Sequence, residues 1–181
     1  MQKPDQASER MVDLYWLAFL LTGHSESSLE IAIESFDFQD EASPFFSTWM
    51  SAWSRRTVIA KALSSIRKEL VDSANRTKSA RAGKSAFPPR DWTLNPATTK
   101  AQLEAALLAI DVFPRCALVL SFFEKVSIED TVVLLNADRS LVGKAQAIGL
   151  QELNRNLARM QGWTTLAEKP GAAAGAKFRS H

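Results

Sequence analysis

The chain has 181 residues, 46% apolar and 23% charged, a composition that fits one globular domain of ordinary size or two small ones and excludes a fibre or a wholly disordered polypeptide. Its net charge of +2 conceals a polarity: residues 1–48 carry two basic and nine acidic side chains and residues 49–101 carry eleven basic and three acidic, so a polyanion is expected at the middle third and a basic protein surface at the first. A single cysteine excludes an internal disulfide and two histidines give no metal-ligand cluster, so no metal or other cofactor is expected.

From Met11 to Leu21 the sequence is apolar on nearly every side, which predicts a helix buried in a bundle and ended by Gly23. The apolar run Leu14–Leu21 is far short of the roughly twenty residues a bilayer requires, and Asp5, Glu9 and Asp13 before it do not suit a signal peptide. A cytoplasmic protein without a membrane partner is the expectation. Next, "SESSLEIAIESF" places Leu29, Ile33 and Phe36 on one predicted helical face and Glu26, Glu30 and Glu34 on the other. Like charges at four-residue spacing repel, by a few tenths of a kcal/mol per pair, and a cationic partner would relieve that cost.

After a loop over 37–44, "FFSTWMSAWSRRTVIAKALSSIRKEL" contains no Gly or Pro and predicts one long helix. Between Trp53 and Glu69 it carries Arg55, Arg56, Lys61, Arg67 and Lys68 without an acid, a pattern suited to phosphates, with aromatic side chains interleaved where unpaired bases could stack. Residues 71–100, rich in Ser, Ala, Thr, Pro and scattered bases, read as a linker. Helical pattern resumes with "TKAQLEAALLAI" and passes through Pro114, at or near a helix start, into "RCALVLSFFE", where Cys116 reads as a packing residue.

Then comes "SIEDTVVLLNADRSLVGKAQAIGLQEL", residues 127–153. Ser127 is suited to cap a short helix that buries Ile128, Val132 and Leu135. Asn136 tolerates a left-handed turn, and Asp138 can cap a second helix whose Val142, Ala145, Gly149 and Leu153 form an inward seam. That leaves Arg139, Ser140, Gly143, Lys144 and Ala147 outward near the amino end, the part of a helix-turn-helix reader that enters the major groove. A flexible tail is expected over 161–181. Strand signals are absent, so the fold class is all-α: a helical domain over 1–70, a linker over 71–100 and a helix-turn-helix domain over 101–160.

These segments, in this order, resemble the extracytoplasmic-function sigma factors of bacterial RNA polymerase. "LYWLAFLLTGHSESSLEIAIESF" is similar to the leucine-rich helix, Thr-Gly and acidic run of that family's second conserved region, with Glu30, Glu34 and Phe36 at its Asp, second Glu and Phe. "AWSRRTVIAKALSSIR" resembles the Trp-containing helix that meets the melted promoter strand, and "ALLAIDVFPRCALVLSFFEKVSIEDTVVLLNADRSLVGKAQAIGLQELNRNL" resembles the fourth region. The resemblance implies that Glu30 and Glu34 dock on core RNA polymerase, that Arg55, Arg56, Lys61, Arg67 and Lys68 hold promoter DNA, and that Arg139, Ser140 and Lys144 read or grip its upstream element, with an anti-sigma protein as a further candidate partner. The pattern departs from the family at Ile33, where Gln is usual, at Gly143-Lys144-Ala145, where a Lys-Ser-Arg-like run is common, and at Ile148-Gly149 in place of Arg-Ala. Each of the two glycines costs a helix roughly 1 kcal/mol relative to alanine, which predicts weak upstream reading. The competing expectation is an adaptor that keeps the sigma shape and binds polymerase or an inhibitor without starting transcription. Enzyme chemistry finds no phosphate-binding glycine loop, nucleophile–base pair or metal set in the sequence.

Overall fold

The computed structural model describes residues 4–36, 44–80 and 98–160, with side chains from residue 8 and, in the second stretch, from residue 51. The expected loop over 37–44, apart from Pro44, which opens a helix, most of the later part of the expected linker (81–97) and the expected tail (161–181) lie outside the described residues. Among the described residues every regular element is helical, and no helix is long and apolar enough to cross a membrane.

Helix α1 (Pro4–Thr22) buries Leu14, Leu17, Ala18 and Leu21, an i, i+3, i+4, i+7 stripe, and each buried leucine stabilises the fold by about 1.5–3 kcal/mol. Gly23 ends it in a left-handed conformation, φ +79°, donating its N–H to the Phe19 carbonyl. Helix α2 (Ser25–Ser35) then turns back onto α1. Its rotation differs from the expected one: Ser28, Ile31, Ala32 and Ser35 face inward, while Leu29 and Ile33 are 49% and 52% exposed. The Ser28 hydroxyl lies 2.9 Å from that of Thr22, which pins the small-residue face against α1 and turns the larger aliphatics out.

Helices α3 (Pro44–Ser65) and α4 (Arg67–Ser79) form a bent rod in place of one uninterrupted helix. At the bend, Ile66 leaves helical geometry (φ −104°, ψ 19°) while its amide and carbonyl stay hydrogen-bonded to Ala62 and Leu70. The linker expectation therefore fails over 71–79, which is helix: α4 packs on α6 (Val112–Leu118) through Leu70, Ser73 and Thr77, and the buried Ser73 hydroxyl accepts from the Phe113 N–H at 2.8 Å.

Helix α5 (Lys100–Leu108) opens on a capping box, in which the Thr99 hydroxyl accepts from the Gln102 N–H and the Gln102 side chain accepts from the Thr99 N–H. Pro114 falls in the first turn of α6, where a missing N–H costs nothing. A π-helical turn, Val119–Phe123, prolongs α6 and leaves Phe122 and Phe123 exposed. Helices α7 (Ile128–Leu135) and α8 (Arg139–Met160) are the last described elements.

The expected division into two tethered lobes does not describe this packing. Leu17 and Leu21 of α1, Val58 and Leu63 of α3, Phe113 and Leu120 of α6 and its π-helical extension, and Val142 and Ala145 of α8 belong to one apolar cluster. A smaller cluster joins α5 to α8 through Ala106, Leu107, Leu153 and Leu157. The physical reason lies partly in Arg115, only 4% exposed, which reaches from α6 to both halves. Its guanidinium donates to the carbonyls of Leu108 and Ile110 at 3.1 and 3.3 Å and to Leu21 at 3.4 Å, so the carbonyl ends of α5 and α1 hold this cation, with Asp111 and Glu69 contributing at longer range. Burial lowers the Arg115 pKa from its ordinary value and pushes the neighbouring, fully buried Cys116 thiol up to about 12.

Candidate nucleic-acid interface

The segment from Ser127 to Ala147 is a helix-turn-helix built as its residues dictate. Ser127 Oγ accepts from the Asp130 N–H at 3.0 Å and caps α7; Asn136 takes the left-handed conformation (φ 50°, ψ 53°); Asp138 Oδ1 accepts from the Leu141 N–H at 2.8 Å and caps α8. Val142, Ala145, Gly149 and Leu153 are buried against α6 and α5, the expected seam. The Gly149 seam is tight: a Cβ there would lie 2.8 Å from the Pro114 carbonyl oxygen. With rotation fixed at both the cap and the seam, Arg139, Ser140, Gly143 and Ala147 share an exposed face at the amino end of α8. Arg139 donates to Glu129 at 2.9 Å, with both side chains mostly in solvent, a pair that contributes little and that a phosphate could displace. Lys144 is half-buried and its Nζ donates to the Lys78 carbonyl at 3.0 Å, so it ties α8 to the end of α4.

The basic residues of α3 do not form one surface. Arg55 donates through Nε to Glu124 Oε2 at 2.9 Å and through Nη2 to Oε1; this hydrogen bonding raises the Arg55 pKa against an opposing desolvation. Lys61 points to the opposite neighbour and donates to Glu34 at 2.7 Å. Arg56 is exposed on the side facing Lys125 and Val133 of the following half, Lys68 is exposed on α4, and Arg67 lines a different groove. Cations read as one run along the sequence thus point toward α2, toward the π-helical turn and toward the helix-turn-helix.

On α2, Glu26, Glu30 and Glu34 are exposed as expected, with Glu34 engaged by Lys61. Leu29 and Ile33 emerge among them, giving an outward strip that alternates acid and aliphatic side chains.

One element of this surface was missed in the sequence. Helix α4 turns Arg67, Leu70, Val71, Ala74, Asn75 and Lys78 toward the turn between α7 and α8, across a groove of about 450 Å³ whose far wall includes Asn136, Asp138 and Leu141. The i, i+3, i+4, i+7, i+8, i+11 spacing was legible, but only half of its members are apolar. Among the described residues no group of acids, histidines and cysteine is placed to hold a metal. Compared with protein-family models, with curated proteins and with solved structures, the chain matches none.

Proposed function

We propose that the chain is a sigma-factor-like transcription initiation protein that binds core RNA polymerase and promoter DNA. The observation that carries this reading is the helix-turn-helix of α7 and α8, whose capped, seam-locked second helix leaves Arg139 and Ser140 exposed at its amino end. Support for a polymerase contact comes from α2, where Leu29 and Ile33 stand exposed among Glu26, Glu30 and Glu34; an apolar and basic helical partner would cover the aliphatics and relieve the repulsion of the acids. In this reading a cytoplasmic setting follows from the partner, and Arg56, Arg67 and Lys68 remain open to DNA while Arg55 and Lys61 must exchange their glutamates for phosphates.

Those two ion pairs favour a second reading, a sigma-like adaptor that binds polymerase or an anti-sigma partner without starting transcription. Transcription with purified core polymerase and pooled genomic fragments separates the two. Initiation from discrete start sites that is lost in Arg139→Ala supports the first. Polymerase binding through α2, lost in Leu29→Asp, with no start sites supports the second, and neither polymerase nor DNA binding overturns both.

A further inference from the structure

Helix α8 does not stand alone at its amino end. The Lys144–Lys78 hydrogen bond and the groove beneath it hold α4 at packing distance from the helix-turn-helix. A helix with its side chains is about 10–12 Å across and packed helix axes lie about 8–10 Å apart. The major groove is only about 12 Å wide, so a helix beside the one that enters it falls on the bordering sugar–phosphate ridge. What α4 offers there is suited to phosphate: Lys78 at one end of its stripe, Arg67 at the other and Asn75 between, all exposed. Neither Lys78 nor Arg67 has an ion-pair partner among the described residues. Among the described residues the single acid lining the groove, Asp138, already accepts from the Leu141 N–H as the cap of α8.

We propose that α4 is a phosphate-binding arm of the α8 surface, in which Lys78 and Asn75, with Arg67, grip the sugar–phosphate strand bordering the major groove that Arg139 and Ser140 enter. The proposal rests on the reading of α8 as a DNA helix and adds to it a ligand class, duplex phosphate, and a division of roles. Contacts from α4 supply affinity without regard to sequence, and those from α8 supply preference. The shared core of the two halves becomes functional as well, because it holds the arm beside the reader.

The test is fluorescence anisotropy of the full chain with two duplexes of unrelated sequence over a sodium chloride series. Lys78→Glu and Arg67→Glu should each weaken binding about tenfold at low salt on both duplexes and flatten the log-affinity against log-salt slope by about one. Asn75→Ala should weaken it about threefold, since it removes a neutral hydrogen bond. Lys78→Arg should restore wild-type binding, and Arg10→Glu on α1, a matched reversal away from the groove, should leave the slope unchanged. Arg139→Ala should instead alter the ratio between the duplexes. Because Lys78 and Arg67 are exposed, thermal melts of the variants should match that of the wild-type chain. Wild-type binding that survives both reversals overturns the arm and leaves the α8 reading standing. Loss on one duplex only overturns the phosphate role, and a wild-type chain that binds neither duplex at low salt overturns the α8 reading together with the arm.

Discussion

Both α3 and the first turns of α8 carry basic side chains, and folding disposes of those charges in opposite ways. On α3 they are distributed around the helix, so each meets a different neighbour: Arg55 closes on Glu124 and Lys61 on Glu34. On α8 the exposed positions 139, 140, 143 and 147 lie on one side, because the seam at 142, 145, 149 and 153 fixes the other. A run of cations in sequence becomes one surface only where the helix rotation is fixed; Arg139 is paired as well, with Glu129, but both side chains stand mostly in solvent, where a phosphate can displace the acid. The two helices can be driven toward or away from each other by substitution.

The largest effect is expected at the seam. In Gly149→Ala the new Cβ meets the Pro114 carbonyl oxygen at 2.8 Å and the Leu118 Cβ at 3.2 Å, so α8 must move off α6, at a cost of about 2–3 kcal/mol. Thermal melting should fall accordingly, and duplex binding should weaken although Arg139 is untouched. At Gly143 nothing among the described residues lies within 4 Å of an added methyl group, and Gly143→Ala should stabilise the chain by up to about 1 kcal/mol through helix propensity alone. The two glycines look alike in sequence, yet one marks a close approach and the other an open face. Equal stability of the two variants would show that α8 is not seated on α6.

How far the fold was legible depended on where apolar periodicity carried the information. The caps at Ser127 and Asp138, the left-handed Asn136 and the seam of α8 all follow from residue type and spacing, because local geometry decides them. Helix α4 was hidden because its buried positions include Ser73 and Thr77, hydroxyl residues whose small volume allows close packing on α6 and whose hydrogen bonds go to Phe113 and to the Ser73 carbonyl. The rotation of α2 was hidden for a similar reason: Ser28 and Ala32 win the interior over Leu29 and Ile33 through a contact with Thr22, which no pattern within α2 reveals. The union of the two halves rests partly on Arg115, and a charged residue in the sequence points to the surface unless its carbonyl partners are known. For the site, Arg139, Ser140, Gly143 and Ala147 are exposed as read, but Lys144, expected outward with them, is half-buried and held by the Lys78 carbonyl, and the fate of Arg55 and Lys61 depended on acids 69 and 27 residues away in the chain.

A smaller effect is expected from making α3 resemble α8. Glu124 is 9% exposed at its side chain and Arg55 is 38% exposed, so Glu124→Gln removes a charge from a partly screened pair and should cost about 1–2 kcal/mol, read as a lower denaturation midpoint at constant slope. The released Arg55 should raise low-salt duplex affinity severalfold, in proportion to one added phosphate contact. Lower stability without a gain in affinity would mean that α3 does not face the nucleic acid.

The smallest effect lies within α4 and controls for the others. Arg76 donates to Asp111 at 2.9 and 2.7 Å, while Lys78, two residues on and roughly opposite around the helix, has no ion pair among the described residues. The Arg76 hydrogen bonds, against partial desolvation, hold the Asp111 pKa below its ordinary value. A carboxylate with a depressed folded-state pKa contributes stability that is present above its unfolded-state pKa and lost as pH falls through the folded-state value, so this contribution should fade as pH drops below about 5. With the side chains 61% and 40% exposed, Asp111→Asn should cost less than about 1 kcal/mol at neutral pH and flatten the acid side of the stability profile, while the oxygen of the new amide side chain continues to cap α6 at the Val112 N–H. Freeing Arg76 adds the same charge as freeing Arg55 but on the side of α4 turned from the groove, so duplex affinity should not change. An equal gain from Asp111→Asn and Glu124→Gln would mean that net charge, and not the placement of cations around α8, governs binding.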